Sequence, residues 1–244
     1  MDVVQAAHRD QMIERDGVVF HFVGERQIAS RVRSLSPRVV HVNGINHPMA
    51  VRRLREALGG TPVLVQDHGT IEPHGWRRMA WRFAYRTLDA VAFTAREQAR
   101  PYFDTGVFRN GLTVFEVLES SSNFTPGDRD AARQATGMFG DPCMFWTGRL
   151  DANKDPLTAL DAFEIASHDL PDARLWCCFG GAPLLDDVRR RIAGSPRLSE
   201  RVTLVGERPH TEMEARYRSA DFFVQTSHRE GSGYSLIEAM ACGT

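Results

Sequence analysis

The sequence predicts a doubly wound α/β fold in two domains. Three observations lead there. Short, nearly continuous apolar runs recur from end to end, separated by amphipathic stretches of helical length. Parallel strands covered on both faces read this way. The length of 244 residues suits one large α/β domain or two modest ones, at about 150 residues per domain. The rhythm also breaks once, at Ser120–Gly140 (SSSNFTPGDRDAARQATGMFG), where Ser, Pro, Gly and charge accumulate before a short helix restarts it. Such composition marks a linker. A boundary is therefore expected near residues 119–130, with domains at 1–125 and 126–244.

Taken in order, the apolar run Val18–Val23 (VVFHFV) is the first expected strand, followed by a helix near Gln27–Ser34 and a strand at Val39–Val42. The helix Pro48–Leu58 leads to the strand Pro62–Gln66 (PVLVQ), and the helix Trp76–Leu88 to the strand Ala90–Thr94. A helix at Arg96–Phe103 and a strand at Leu112–Leu118 close the first half. In the second half the strands Cys143–Thr147 (CMFWT), Ala173–Phe179 (ARLWCCF), Val202–Val205 and Phe222–Gln225 alternate with helices at Leu157–Ser167, Leu184–Ala193 and Thr211–Arg218. Ser235–Ala241 (SLIEAMA) reads as the opening of a last helix. The chain begins without a strand followed by a Gly-rich turn and stops abruptly at Cys242-Gly243-Thr244. It reads as the middle of a longer protein.

Composition narrows the function classes. Thirty basic residues face thirty-one acidic ones, a formal charge of -1, so no overall pull toward nucleic acid or anionic membrane is expected and any basic patch must be local. No run of eighteen apolar residues suggests a transmembrane span, and MDVVQAAHRD lacks the layout of a secretion signal. The cysteines Cys143, Cys177, Cys178 and Cys242 show no CxxC spacing, the pattern of a reduced chain in the cytoplasm. Of the thirty cations only Lys154 is a lysine.

Two segments carry chemistry. Trp146-Thr147-Gly148-Arg149-Leu150-Asp151-Ala152-Asn153-Lys154-Asp155 follows the first strand of the second half. That strand delivers Gly148 and Arg149 to its carboxyl end, where open α/β sheets bind ligands. A guanidinium fork at Arg149 and a point-charge ammonium at Lys154 make a diphosphate clamp; the plainer reading pairs them with Asp151 and Asp155. The single lysine among so many arginines favours a site that needs a compact ammonium. The second segment is Ser227-His228-Arg229-Glu230-Gly231-Ser232-Gly233-Tyr234-Ser235-Leu236-Ile237-Glu238. A strand ends, the loop around Gly231 and Ser232 follows, and a helix starts near Ser232–Ser235. The backbone N–H groups at Gly233, Tyr234 and Ser235 are then available to a phosphate. Glu230 and Glu238 can face one crevice and accept hydrogen bonds from sugar hydroxyls; the plainer reading is an acidic helix start, which is favourable in itself.

GRLDANKDPLTALDAF followed by SHREGSGYSLIEAMACGT resembles the donor domain of retaining GT-B glycosyltransferases of family 4, specifically over residues 142–244 and more loosely over 1–125. Glu230 and Glu238 match the family's Glu-x7-Glu pattern. The resemblance implies a GT-B fold, two Rossmann-like domains facing across a cleft. It implies that Glu230 contacts the transferred sugar, that Glu238 holds the nucleotide ribose, and that Arg149 and Lys154 bind the donor diphosphate. The family carries a His after a central N-terminal strand, which His68 in VLVQDHG matches; otherwise it is a loop histidine with structural bonds. The implied reaction is metal-independent retaining transfer of a hexosyl unit from a nucleotide-diphosphate sugar, with no cofactor. The acceptor hydroxyl stands open among saccharide, lipid-linked and small molecules. A nucleotide-sugar 2-epimerase and a non-catalytic nucleotide-sugar-binding remnant are the alternatives. The family's Gly-rich loop after the first N-terminal strand and the segment beyond Thr244 have no counterpart here. The 244-residue chain alone is therefore expected to be weakly stable, self-associating through an unpaired edge and through Leu236, Ile237 and Met240, and slow or inactive.

Other features read as structural. Asp128-Arg129-Asp130 spells a metal-binding Asp-x-Asp but opens a helix, so capping is expected. His41, His47, His68 and His74 include no helical i,i+4 pair for zinc. Cys177 and Cys178 fall on opposite faces of a strand as core filler. In GWRRMAWRFAYRTL, Trp76, Met79, Ala80, Phe83, Ala84 and Leu88 share one face and Arg78, Arg82 and Arg86 the other. That is either a core-packed helix with a solvated back or a peripheral membrane contact.

Overall fold

The computed structural model describes residues 1–119 and 121–244. The chain divides into two compact units, Met1–Glu119 and Ser120–Thr244.

The N-terminal unit contains β1 (Asp2–Ala6), β2 (Gln11–Arg15), β3 (Val18–Val23), α1 (Ile28–Ser34), β4 (Val40–Asn43), α2 (Pro48–Leu58), β5 (Val63–Gln66), α3 (Gly75–Tyr85), β6 (Ala90–Phe93), α4 (Arg100–Asp104) and β7 (Thr113–Glu116). Strands β4-β5-β6-β7 form a parallel sheet in sequence order. Val63, Val65, Val91 and Phe93 are fully buried in it, as expected for a central pair covered on both sides. Trp81, Tyr85, Tyr102 and Phe108 cover it with an aromatic cluster; Tyr102 and Phe108 stack at 5.1 Å. The Tyr85 hydroxyl donates to the Ile45 carbonyl at 2.6 Å, and burial pushes its pKa up.

One sequence expectation for this unit holds and one needs correction. No Gly-rich turn follows the first strand: β1, which the apolar runs do not announce, leads into His8-Arg9-Asp10 without a glycine. Val18–Val23, however, does not join the parallel sheet. It is the centre of a separate sheet ordered β1-β3-β2, parallel to β1 and antiparallel to β2. The physical reason is the Asp16-Gly17 turn, with φ of 53° and 75°. Two successive positive φ values close a tight hairpin whose twist matches the flanking strands.

The C-terminal unit runs α5 (Arg129–Thr136), β8 (Cys143–Gly148), α6 (Pro156–Ala166), β9 (Arg174–Phe179), α7 (Leu185–Ala193), α8 (Pro196–Arg201), β10 (Val202–Gly206), α9 (Met213–Ser219), β11 (Phe222–Val224) and α10 (Tyr234–Cys242). The short α8 is absent from the sequence reading, although Ser195-Pro196 signals it: the Ser195 hydroxyl caps Leu198 N–H at 3.3 Å. The parallel sheet is ordered β10-β9-β8-β11. After β8 the chain builds outward through β9 and β10, then returns to the other side of β8 with β11. That reversal is a topological switch point, where the connections leaving β8 and β11 diverge and open a crevice at their carboxyl ends. The sheet carries a core on each face, one built on Trp146, Leu160, Leu175 and Cys177, the other on Phe145, Cys178, Tyr217 and Ala239. The adjacent cysteines thus fall on opposite faces, as alternation requires. Asp128 caps α5 by accepting from Ala131 N–H at 3.0 Å, the role expected of it.

Helix α3 departs from its expected face. Trp81, Ala84, Tyr85 and Leu88 are buried, whereas Trp76, Met79 and Phe83 are 78%, 66% and 49% exposed. Arg82 donates to the carbonyls of Gly106 and Thr105 at 2.8 and 3.0 Å, and Arg78 to Pro73 at 3.5 Å. The guanidinium groups satisfy loop carbonyls, so the helix is rotated from the orientation that apolar counting suggests.

Candidate active site at the switch point of the C-terminal sheet

The loop after β8 is built to hold Lys154. A Cβ at Gly148 would meet the Lys154 stem at 3.3 Å, so the glycine lets that stem lie against the strand end. Leu150 is fully buried and anchors the loop through Leu150 N–H to Gly181 O at 3.0 Å. The Asp151 carboxylate accepts from the N–H groups of Asn153 and Lys154 at 3.1 and 3.0 Å, a local turn that Asp favours. Asp155 sits at φ 44°, in the left-handed region, and caps α6 by accepting from Thr158 N–H at 3.2 Å. Burial opposes ionisation of Asp155, but hydrogen bonds from Thr158 and the charge of His228 outweigh it and hold its carboxyl below the usual range.

The loop after β11 meets it. Lys154 Nζ donates to Glu230 Oε1 at 2.5 Å and Gln225 Nε2 to the same oxygen at 3.2 Å. Partial burial raises the Glu230 pKa; the bonds from Lys154, Ser227 and Gln225 more than offset that and leave the carboxyl below its ordinary value. Arg149 remains exposed, with Nε 3.3 Å from Asp151 Oδ2. Of the two pairings in the plainer reading, Arg149–Asp151 forms, while Lys154 turns to Glu230 and His228 takes Asp155 at 3.1 Å.

Gly233, at φ 63°, is the N-cap of α10, and no side chain caps that end. Its left-handed conformation turns the chain from the Gly231-Ser232 loop into the helix, whose first-turn N–H groups at Tyr234 and Ser235 have no partner within the helix itself. Glu238 lies one turn further on, in a separate network. Tyr217 donates to its Oε2 at 2.9 Å, and His210 Nε2 lies 2.6 Å from its Oε1. Burial, reinforced by the charge of Glu238, pushes the Tyr217 hydroxyl pKa up. Phe124 stacks on the His210 ring at 5.1 Å. The two carboxylates thus belong to one helix–loop junction but are oriented by different partners.

In the N-terminal unit His68 follows β5, as expected. Nδ1 lies 2.9 Å from Glu119 Oε1, and Nε2 contacts Asn43 Oδ1 at the end of β4. Asp67, buried beside it, accepts from the N–H groups of Gly69 and Thr70 at 3.0 and 3.1 Å, which fixes the turn that presents the ring.

Several partners escaped the sequence reading: Thr226, Asn153 and His228 between the two loops, Tyr217 and His210 around Glu238, and Asn43 and Glu119 around His68. Thr226, Asn153 and His228 could have been found from their adjacency to the motif segments; Glu119 and Tyr217 are far off in sequence. Among the described residues no group of three or more His, Cys, Asp and Glu side chains is placed to hold a metal ion, and no helix is long and apolar enough to cross a membrane.

Residues 128–244 match the family described as Glycosyl transferases group 1. The C-terminal unit belongs to that family. Among curated relatives, a D-inositol 3-phosphate glycosyltransferase of Mycolicibacterium gilvum is 35% identical over 129 residues, covering 50% of this chain and 28% of its own. One from Mycobacterium bovis is 36% identical over 125 residues, covering 50% and 25%. The match therefore spans about a quarter of those relatives' length. Among solved structures, Anabaena HepE in complex with UDP and glucose has a TM-score of 0.70 at 17% identity, covering 92% of this chain and 65% of its own. Sucrose-phosphate synthase from Thermosynechococcus elongatus has a TM-score of 0.69 at 22% identity, covering 100% and 69%. These solved structures bear on the fold alone, which is the GT-B α/β fold that the sequence predicts.

Proposed function

We propose that the protein transfers a hexosyl unit from a nucleotide-diphosphate sugar to an acceptor hydroxyl, with retention and without a metal. The observation that carries this is the meeting of Lys154, Glu230 and the uncapped α10 N-terminus at the β8/β11 switch point. Lys154, Arg149 and the N–H groups following Gly233 stabilise negative charge developing on the departing diphosphate. Glu230 accepts hydrogen bonds from the sugar and Glu238 from the ribose. The bond from the anomeric carbon to the phosphate oxygen breaks as the acceptor oxygen bonds on the same face, and the acceptor proton passes to the departing phosphate. His68 acts at the reacting sugar, a role that rests on the family resemblance. The reading is of a cytoplasmic enzyme.

The test is a transfer assay on the full-length protein with a panel of nucleotide-sugar donors, with and without chelator. An Arg149→Ala, Lys154→Ala double variant should lose at least about a hundredfold in turnover, the scale of removing transition-state donors. Near-wild-type turnover refutes the assignment. Epimer formed without acceptor would indicate the 2-epimerase, and binding without turnover a nucleotide-sugar-binding remnant.

A second reading concerns the membrane, and the exposed stripe Trp76, Met79, Phe83 favours it. Arg52 of α2 lies 3.7 Å over the Phe83 ring and is paired with Glu56 at 2.9 Å, so the attraction argued here is that of the apolar stripe. We infer peripheral contact with a bilayer, as a lipid-linked acceptor would require. Flotation should recover the protein with anionic vesicles and lose it in the Trp76→Ser, Met79→Ser, Phe83→Ser variant; equal recovery of both proteins refutes it.

A further inference from the structure

The loops after β8 and β11 are laced together by bonds that touch no proposed ligand. The Thr226 hydroxyl lies 2.9 Å from the Lys154 carbonyl and 2.8 Å from the Asp155 carbonyl, sharing its proton between them, and accepts from Trp146 Nε1 at 3.2 Å. His228 N–H donates to the Asn153 carbonyl at 2.8 Å, and the Asn153 side-chain amide to the Arg229 carbonyl at 3.0 Å. From the β11 side the Thr226 hydroxyl grips the carbonyl of Lys154, whose N–H is held by Asp151 within its own loop. It also holds Asp155 in a backbone conformation that L residues rarely adopt, and such a conformation persists only where surrounding contacts over-determine it. Trp146 is buried in the core, so the hydroxyl is fixed from the sheet side as well.

We propose that Thr226 is a positioning residue of the donor site, its hydroxyl setting where the Lys154 ammonium stands. The proposal rests on the reading of Lys154 as a diphosphate ligand. A lysine stem has many rotamers, and an ammonium on a free loop spends little time at one point. With its own carbonyl and that of Asp155 pinned and its stem lying on Gly148, few remain open, so the ordering cost falls on the fold and not on binding. Valine matches threonine in shape but leaves two carbonyls and an indole N–H without this partner, whereas serine keeps the hydroxyl.

The experiment compares wild type, Thr226→Val, Thr226→Ser and Lys154→Ala in the full-length protein. Calorimetry with UDP and GDP reads donor-site binding, and carbon NMR follows the Glu230 carboxyl through a pH titration. Thr226→Val should weaken binding about tenfold, the scale of one or two lost hydrogen bonds, and move the Glu230 titration up as the ammonium leaves it; Thr226→Ser should restore both. Should valine impair folding, Thr226→Ala carries the same comparison. Unchanged binding with an unchanged titration overturns the proposal, as does weaker binding with no shift at Glu230. A shift at Glu230 with unchanged binding upholds the positioning and refutes Lys154 as a donor ligand. A wild type that binds neither nucleotide refutes the donor reading, while the ligand-free titration still decides the positioning.

Discussion

Lys154 and Glu230 meet at 2.5 Å with about a quarter of each side chain exposed, so their partnership is a property of two loops and not of either alone. It has a pH signature. The folded Glu230 carboxyl titrates below its unfolded counterpart, so the unfolded chain binds the proton more readily. The resulting stability is fully present above the ordinary carboxyl range, near pH 4.3, and is lost as pH falls through the lower folded value. Urea denaturation from neutral pH to about pH 3 should therefore show a shallower acid limb in Glu230→Gln than in wild type. The cysteines make a second prediction. Burial pushes the thiols of Cys143 and Cys242 up to about 11 and that of Cys177 up to about 12, and all four are free and buried. The thiolate is the reactive form. Native protein at about pH 8 should show almost no reaction with a thiol reagent, and full reaction once unfolded; rapid native labelling of any of the four would contradict this.

Helix ends were legible in the sequence where their chemistry is local. Asp128 reads as a cap and is one; Asp128→Ala should cost about 1 kcal/mol, measured by denaturant titration, with Asp128→Asn close to wild type. The same locality explains how the strands were found, since their apolar runs are contiguous. Helix α3 shows where locality ends. The expected apolar face omits Trp81 and Tyr85, which are buried, and includes Trp76, Met79 and Phe83, which are exposed; which residues turn inward depends on Arg82 reaching Gly106 and Thr105, more than twenty positions away. The β2–β3 hairpin was missed for another reason: Asp16-Gly17 signals it, while the exposed QMIER strand has no apolar run to draw attention.

The whole molecule divides its apolar burial into cores that lie within single units. Phe108, buried among Tyr85, Phe93, Tyr102 and Phe103, should cost about 3–5 kcal/mol on change to alanine. Hydrogen exchange should show the loss in β5 and β6, with β8 and β9 keeping their protection. Equal loss in both sheets would mean that the units unfold as one. The expectation of self-association has a counterpart in α10, where Leu236 and Met240 are 42% and 67% exposed. Sedimentation of the 244-residue chain tests it: concentration-dependent association is expected, and Leu236→Ser, Met240→Ser should reduce it.

The parallel α/β class, the succession of strands along the chain from β3 onward, and the two segments that carry Arg149, Lys154, Glu230 and Glu238 are legible in the sequence alone. These are matters of local pattern, since strand burial and the turn into α10 are written in neighbouring residues. That Lys154 turns to Glu230 and not to Asp155, that Glu238 is gripped by Tyr217 and His210, and that Thr226 joins the loops emerges from the folded chain alone. The Glu238 contacts join α10 to residues 21 and 28 positions earlier, whereas the other two depend on β11 returning beside β8. That return brings together residues more than seventy positions apart, and no spacing within either segment encodes which side chains will face each other there.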